Sequence, residues 1–359
     1  MTSKQLLFII IGSLVGVGII TQPRLVSTAA GHNAWIAVIL GAIVPLLSLV
    51  LIEKLGKRFP HMDFTAMSHA LFGKFLGTGL AMVFIFYIII FEAAFVYRFA
   101  SLISLFLLPQ TPLPVICFMI LAGTVYIASK GAQVVGRLNE LFFYLLLPLF
   151  LFLIPPLFMH GDYINLLPVG ETSISQMLQG TFFTFYDYGR MDILMLAYFM
   201  VTRKDEVLKA GLGALTLVVL SYVFVTASCL LVFGSENIQN QLYPLLTLLN
   251  SVSIPVLERM DLLFMFLWSV AFRPVINATC MASFSATRLF QLDVKKYYPL
   301  VVAGSGLIIY LLTFIPRDLY EALEFSYIAS YIFVAFGLGY PLLYLAVAFR
   351  QGKKVKQVV

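Results

Sequence analysis

Asp187, Arg190 and Asp192 crowd into one short run, Phe183-Thr184-Phe185-Tyr186-Asp187-Tyr188-Gly189-Arg190-Met191-Asp192, with long apolar sequence on either side. Charges at the middle of a membrane span cost roughly 2.5–3.5 kcal/mol each on insertion, so these must face protein or water rather than lipid. Three jobs suit such a set. It can hold a polar ligand, pass a proton, or lock a helix bundle with internal ion pairs. Asp187 and Arg190 are three residues apart and could pair on one helix face. Glu92, Arg98 and Arg273, the last beside Pro274, are further charges inside apolar stretches. The acids Glu92, Asp187 and Asp192 match the bases Arg98, Arg190 and Arg273 in number, which points to a mutually satisfied network rather than a charged pore.

A second constellation lies near the start of the chain, in Gly12-Ser13-Leu14-Val15-Gly16-Val17-Gly18-Ile19-Ile20-Thr21-Gln22-Pro23. Closely spaced glycines followed by proline disfavour an unbroken helix. Unwound backbone exposes N–H groups that need partners in an apolar surrounding, and the positive end of the following half-helix favours a carboxylate or another oxygen-rich group. Close helix packing through Gly12 and Gly16 is an equally good reading of the same residues.

Other chemistry finds no support. Cys117, Cys229 and Cys280 all lie in apolar stretches without a CxxC, which suggests packing rather than a disulfide or zinc site. His32, His61, His69 and His160 fall in or beside loops and lack metal-ligand spacing. P-loop, HExxH and GxSxG patterns are missing, and Gly16-Val17-Gly18 lacks the strand–helix setting of a dinucleotide fingerprint. The expectation is a protein without catalytic residues, cofactor or metal.

The elements that must position these residues are membrane spans. The chain of 359 residues is 61% hydrophobic and 11% charged, with mean hydropathy +0.98, far too apolar for a soluble domain. Spans are expected at about 6–30, 33–52, 78–107, 113–130, 138–158, 177–201, 210–234, 256–287, 298–315 and 323–349. The basic residues support that parsing. Lys4; Lys54, Lys57, Arg58 and Lys74; Lys130 and Arg137; Arg203, Lys204 and Lys209; Arg288, Lys295 and Lys296; and Arg350, Lys353, Lys354 and Lys356 fall on one side, against Arg24, Arg259 and Arg317 on the other. Positive charge is retained on the cytoplasmic side, so both termini are expected there. The net charge of +6 thereby reflects topology, not nucleic-acid binding. Residues 59–76 read as an amphipathic segment on the cytoplasmic interface, capped by Asp63, and residues 236–250 as an outer counterpart. One follows span 2 and the other span 7. This correspondence suggests a five-plus-five repeat of inverted orientation: residues 1–160, then 175–350, with 351–359 as a basic tail.

Three motifs in order carry a resemblance across essentially the whole chain: Gly16-Val17-Gly18-Ile19-Ile20-Thr21-Gln22-Pro23, Gly73-Lys74-Phe75-Leu76-Gly77 and Phe106-Leu107-Leu108-Pro109-Gln110-Thr111-Pro112. With these the chain resembles the B-subunits of the nutrient germinant receptors of spore-forming bacteria, within the amino acid–polyamine–organocation transporter superfamily. The resemblance implies an all-α polytopic protein of ten transmembrane helices, a LeuT-like inverted repeat with discontinuous helices 1 and 6. It implies residence in the inner membrane of the spore. It also implies a pocket among spans 1, 3, 6 and 8 made of Gly16, Val17, Gly18, Tyr87, Phe91, Tyr186, Asp187, Gly189, Arg190, Phe272, Arg273 and Pro274. Glu92, Arg98 and Asp192 would form the charged network around it. The implied ligand is a small nutrient, an amino acid or a sugar. The implied partners are a larger A-type membrane subunit and a C-type lipoprotein. An amino acid/cation transporter on the same fold is the rival expectation.

Overall fold

The computed structural model describes residues 1–251, 259–268, 272–316 and 318–352. Arg317, the tail lysines Lys353, Lys354 and Lys356, and parts of the eighth expected span, 256–258 and 269–271, lie outside the described residues. Among the described residues the chain is helical, without strands. Six helical runs have the length and apolarity to cross a membrane: 18–58, 64–106, 132–160, 204–240, 260–289 and 330–350.

The first expected span is broken. Helix α1 (Ser3–Leu14) opens with a capping box on Thr2 and Gln5, and α2 (Gly18–Ala30) follows after Val15–Val17. Val15 is extended (φ −95°, ψ 101°), and α2 begins without a side-chain cap. Helices α3 (Ala34–Gly41) and α4 (Ile43–Arg58) make the second span, and run further than expected. Helix α5 (Phe64–Phe106) joins the interfacial segment to the third span through a kink at Gly73, whose φ of 77° suits glycine. Its N-cap is Asp63, which accepts from the Ala66 amide at 2.8 Å and pairs with Arg288 at 2.9 Å. Helix α6 (Leu113–Ala128) matches the fourth span. Helix α7 (Ala132–Leu146), a 3₁₀ stretch (Leu147–Leu153) and α8 (Ile154–His160) extend the fifth.

The sixth expected span is the most fragmented. Helix α9 (Ile174–Phe183) is capped by Ser173 and gives way to α10 (Phe185–Tyr188), a 3₁₀ turn (Gly189–Asp192), α11 (Ile193–Ala197) and a last 3₁₀ turn (Tyr198–Met200). Helix α12 (Val207–Asn237) is kinked at Gly234, with φ 70°. The outer segment forms a 3₁₀ turn (Ile238–Asn240) and the short α13 (Pro244–Asn250), two pieces where one was expected. The described part of the eighth span falls in α14 (Met260–Trp268) and α15 (Arg273–Leu289). Helix α16 (Val294–Leu312) falls where the ninth span was expected, and α17 (Leu319–Val334), a π turn (Ala335–Gly339) and α18 (Tyr340–Arg350) where the tenth was expected.

Helix α5 lies at the centre: 67% of its apolar window is buried, against 22% for residues 132–160. It packs along α15, α6, α16 and α17, while α1 packs on α12, α7 and α15. Rings from α5 and the last span interlock, with Tyr87 stacked on Phe336 at 4.0 Å and Phe84 against Tyr340 at 5.2 Å. The broken stretches of α1–α2 and of the sixth span meet beside this layer.

Candidate ligand-binding site

The break after Leu14 leaves backbone groups that neighbouring helices must answer. The Tyr222 hydroxyl of α12 donates to the Leu14 carbonyl at 2.8 Å. Gly16 is tightly enclosed: a Cβ there would stand 2.6 Å from the Phe95 ring and 3.3 Å from Pro274. A Cβ on Gly18 would run into the Asp187 carboxylate. Both glycines are therefore required by close approach. Gly12 meets another need, since a Cβ there would overlap the Asn139 side chain. Asn139 and Asn277 bond to each other, and Asn277 also donates to the Ile9 carbonyl (3.1 Å) and Ser13 Oγ (2.9 Å). The packing and unwinding readings of this motif both hold, at different glycines.

A small cavity sits between the two breaks, lined by Ser13, Leu14, Gly16, Gly18, Phe95, Tyr186, Asp187, Arg190, Tyr222 and Pro274. Its enclosed space has room for about one water molecule, so any larger occupant requires the surrounding helices to move apart. The lining includes the rings of Phe95, Tyr186 and Tyr222, together with a carboxylate, a guanidinium, a serine hydroxyl and the backbone of the unwound stretch. Asp187 is buried, and its carboxylate makes no hydrogen bond or ion pair among the described residues. Its carboxylate stands over Gly18, where it can receive a donor from an occupant.

Of the residues expected in a pocket, Gly16, Gly18, Tyr186, Asp187, Arg190 and Pro274 converge on this cavity. Val17 is buried as the residue preceding α2. Tyr87 and Phe91 do not line it. Tyr87 donates to Asp192 Oδ2 at 2.6 Å, and Phe91 packs on Phe333 at 4.4 Å. Gly189 serves packing, since a Cβ there would strike the Phe333 ring. Phe272 turns toward Gly123 of α6 and the small apolar cluster that includes Ile276 and Cys280. Arg273 is buried next to Pro274 without lining the cavity. Ser13, Leu14, Phe95 and Tyr222 are lining residues that the sequence reading did not select. Ser13 lies inside the glycine motif, whereas nothing in the sequence singles out Tyr222.

The expected pair of Asp187 and Arg190 does not form. Arg190 reaches across to Glu92 on α5, which is 0% exposed and would otherwise be a solitary buried charge. Its guanidinium also lies 5.6 Å from the centre of the Phe333 ring. Arg98 meets Thr21 Oγ1 at 3.4 Å and covers the Tyr186 ring at 4.8 Å. Of the charged network expected, Glu92 pairs with Arg190, Asp192 accepts from Tyr87, and Arg98 meets Thr21 and Tyr186. The side chains of Asp187 and Arg273 form no hydrogen bond or ion pair with the described residues. The three cysteines are buried and free, and Cys280 Sγ lies 3.2 Å from the Tyr298 hydroxyl.

Known proteins set this arrangement in context. Residues 1–322 match the family described as "Spore germination protein". The chain is 28% identical to spore germination protein YndE of Bacillus subtilis (strain 168), over 97% of this chain and 96% of that protein. Spore germination protein GerLB of Bacillus cereus is 25% identical, over 96% and 93% of the two chains. Spore germination protein KB of B. subtilis (strain 168) is 24% identical, over 98% and 95%. Helices long enough to span a membrane, a cavity at two helix breaks and a match over most of the chain agree, and the protein belongs to the spore germination protein family.

Proposed function

We propose that this chain is the nutrient-sensing membrane subunit of a spore germinant receptor. It crosses the spore inner membrane ten times, as a LeuT-like five-plus-five inverted repeat with both termini on the core side. The observation that carries the proposal is the convergence of Gly16, Gly18, Asp187, Arg190 and Pro274 on one cavity where two helices break. Broken helices at corresponding places of two repeats are where such folds bind solutes. The ligand proposed is an amino acid or a small sugar, which the cavity admits once the broken helices move apart. Val17, Tyr87, Phe91, Gly189, Phe272 and Arg273 do not line this cavity.

Sensing requires that the ligand bind one conformation better than another. An occupant that touches both the α1–α2 break and the sixth span couples their relative position to its own presence. That shift passes to an A-type membrane subunit and a C-type lipoprotein, which carry the response onward. Two measurements test the proposal together. In a reconstituted membrane, the isolated chain should bind a labelled nutrient yet show little concentrative uptake with or without an ion gradient. In spores, deletion of the A- or C-type subunit should abolish the germination response. Robust gradient-driven uptake, with germination indifferent to loss of this chain, would make it a transporter instead.

A further inference from the structure

Arg273 is 2% exposed, and both Nε and Nη1 are buried without a hydrogen-bond partner. Among the described residues it forms no ion pair and lies over no aromatic ring. Glu92 is already taken by Arg190, and Asp192 by Tyr87. Arginine keeps its proton under all ordinary conditions, so the group cannot escape burial by becoming neutral. Its position makes matters worse. Arg273 is the first residue of the 17-residue helix α15, whose N-cap, Phe272, supplies no side-chain acceptor. The positive end of the helix adds to the charge of the guanidinium. Side chains on a helix lean toward its N-terminus, which brings the guanidinium to that same end. The amides of Val275 and Ile276 turn back on the Phe272 carbonyl, so recognition there falls to the guanidinium itself.

We infer that Arg273 is an anion-binding residue, and that the group it takes is a small carboxylate or an anion of similar size. A planar fork with free donors matches a carboxylate best. Pro274, the next residue, lines the ligand cavity, so the anion site borders that cavity on the α15 side. The anion has two possible sources, the carboxylate of the nutrient or a free anion held independently. The first rests on the ligand-site reading given above; the second does not.

The test uses the full chain in lipid nanodiscs, in a buffer whose only anion is a bulky sulfonate, at constant ionic strength. The thermal unfolding midpoint is followed while sodium chloride, sodium acetate or glycine is titrated, with glycinamide as the control that lacks a carboxylate. A bound anion should raise the midpoint saturably by a few degrees. Glycinamide should have no effect, Arg273→Met should be flat, and Arg273→Lys should need at least about tenfold more anion. Should the Met variant not fold, the Lys variant decides. Stabilisation by chloride or acetate assigns a free anion, and stabilisation by glycine alone assigns the carboxylate of a nutrient. Gly18→Leu separates the two readings: it should remove a glycine effect while leaving a chloride or acetate effect in place. A parent protein that responds to none of the three anions, or a Met variant that responds as the parent does, overturns the assignment.

Discussion

At the scale of single residues, the site depends on what is absent as much as on what is present. Gly18 has no Cβ, and the Asp187 carboxylate occupies the place where one would be. Gly18→Ala should therefore displace Asp187 and weaken nutrient response at unchanged protein level, and Gly18→Leu should abolish it. Dose–response curves with quantified membrane protein check both. The ion pair behaves differently. Arg190→Met leaves Glu92 as an uncompensated buried charge and should destabilise the chain by roughly 3–5 kcal/mol. Glu92→Gln combined with Arg190→Met should recover most of that loss, as read from the unfolding midpoint in nanodiscs. A double variant no more stable than the single one would show that the pair is not the reason. The residue types of this site were legible in the sequence, because intramembrane Asp, Glu and Arg are conspicuous against apolar neighbours. The pairings were not. Arg190 chooses Glu92 on another helix over the neighbouring Asp187, and spacing along one helix cannot reveal a partner across the bundle.

At the scale of the elements, polar side chains hold the broken helices in place. The Gly-Val-Gly motif announced the first break, and the structure puts it at Val15–Val17. The sixth expected span holds no such motif; its interruption was expected from the resemblance, and the structure divides it into short α and 3₁₀ pieces. The unbroken part of α1 is fastened to α7 and α15 by the amides of Asn139 and Asn277. Asn277→Ala leaves the Asn139 amide and the Ile9 carbonyl with fewer partners in an apolar setting. It should lower stability by about 1–3 kcal/mol and loosen the α1–α15 contact, seen as faster amide exchange in residues 9–14. Unchanged exchange there would deny the fastening role. Asp63, which the sequence marked as a cap, has a second duty that no pattern shows, its ion pair with Arg288 on α15.

At the scale of the whole molecule, the alternation of basic loops was the strongest long-range signal, since it depends on side of the membrane and not on contacts. It leads to a direct topological prediction. A cysteine introduced beside Lys204 should react only with reagent on the core side, and one beside Asp162 only from outside. Labelling of both from one side would contradict the ten-span arrangement. The fragmentation of the fifth and tenth expected spans was not legible, because 3₁₀ and π turns leave hydrophobicity unchanged while shifting direction, whereas interruption of the sixth was expected from the resemblance. Under the proposed function, nutrient binding at the cavity between the two breaks governs the germination response. The most direct test is the nutrient dose–response of germination in spores carrying Asp187→Asn, at membrane protein levels matched to the parent. The account predicts a curve shifted to at least about tenfold higher nutrient, equivalent to roughly 1.4 kcal/mol of lost binding, while responses through other receptors stay unchanged. A curve superimposable on that of the parent would contradict it.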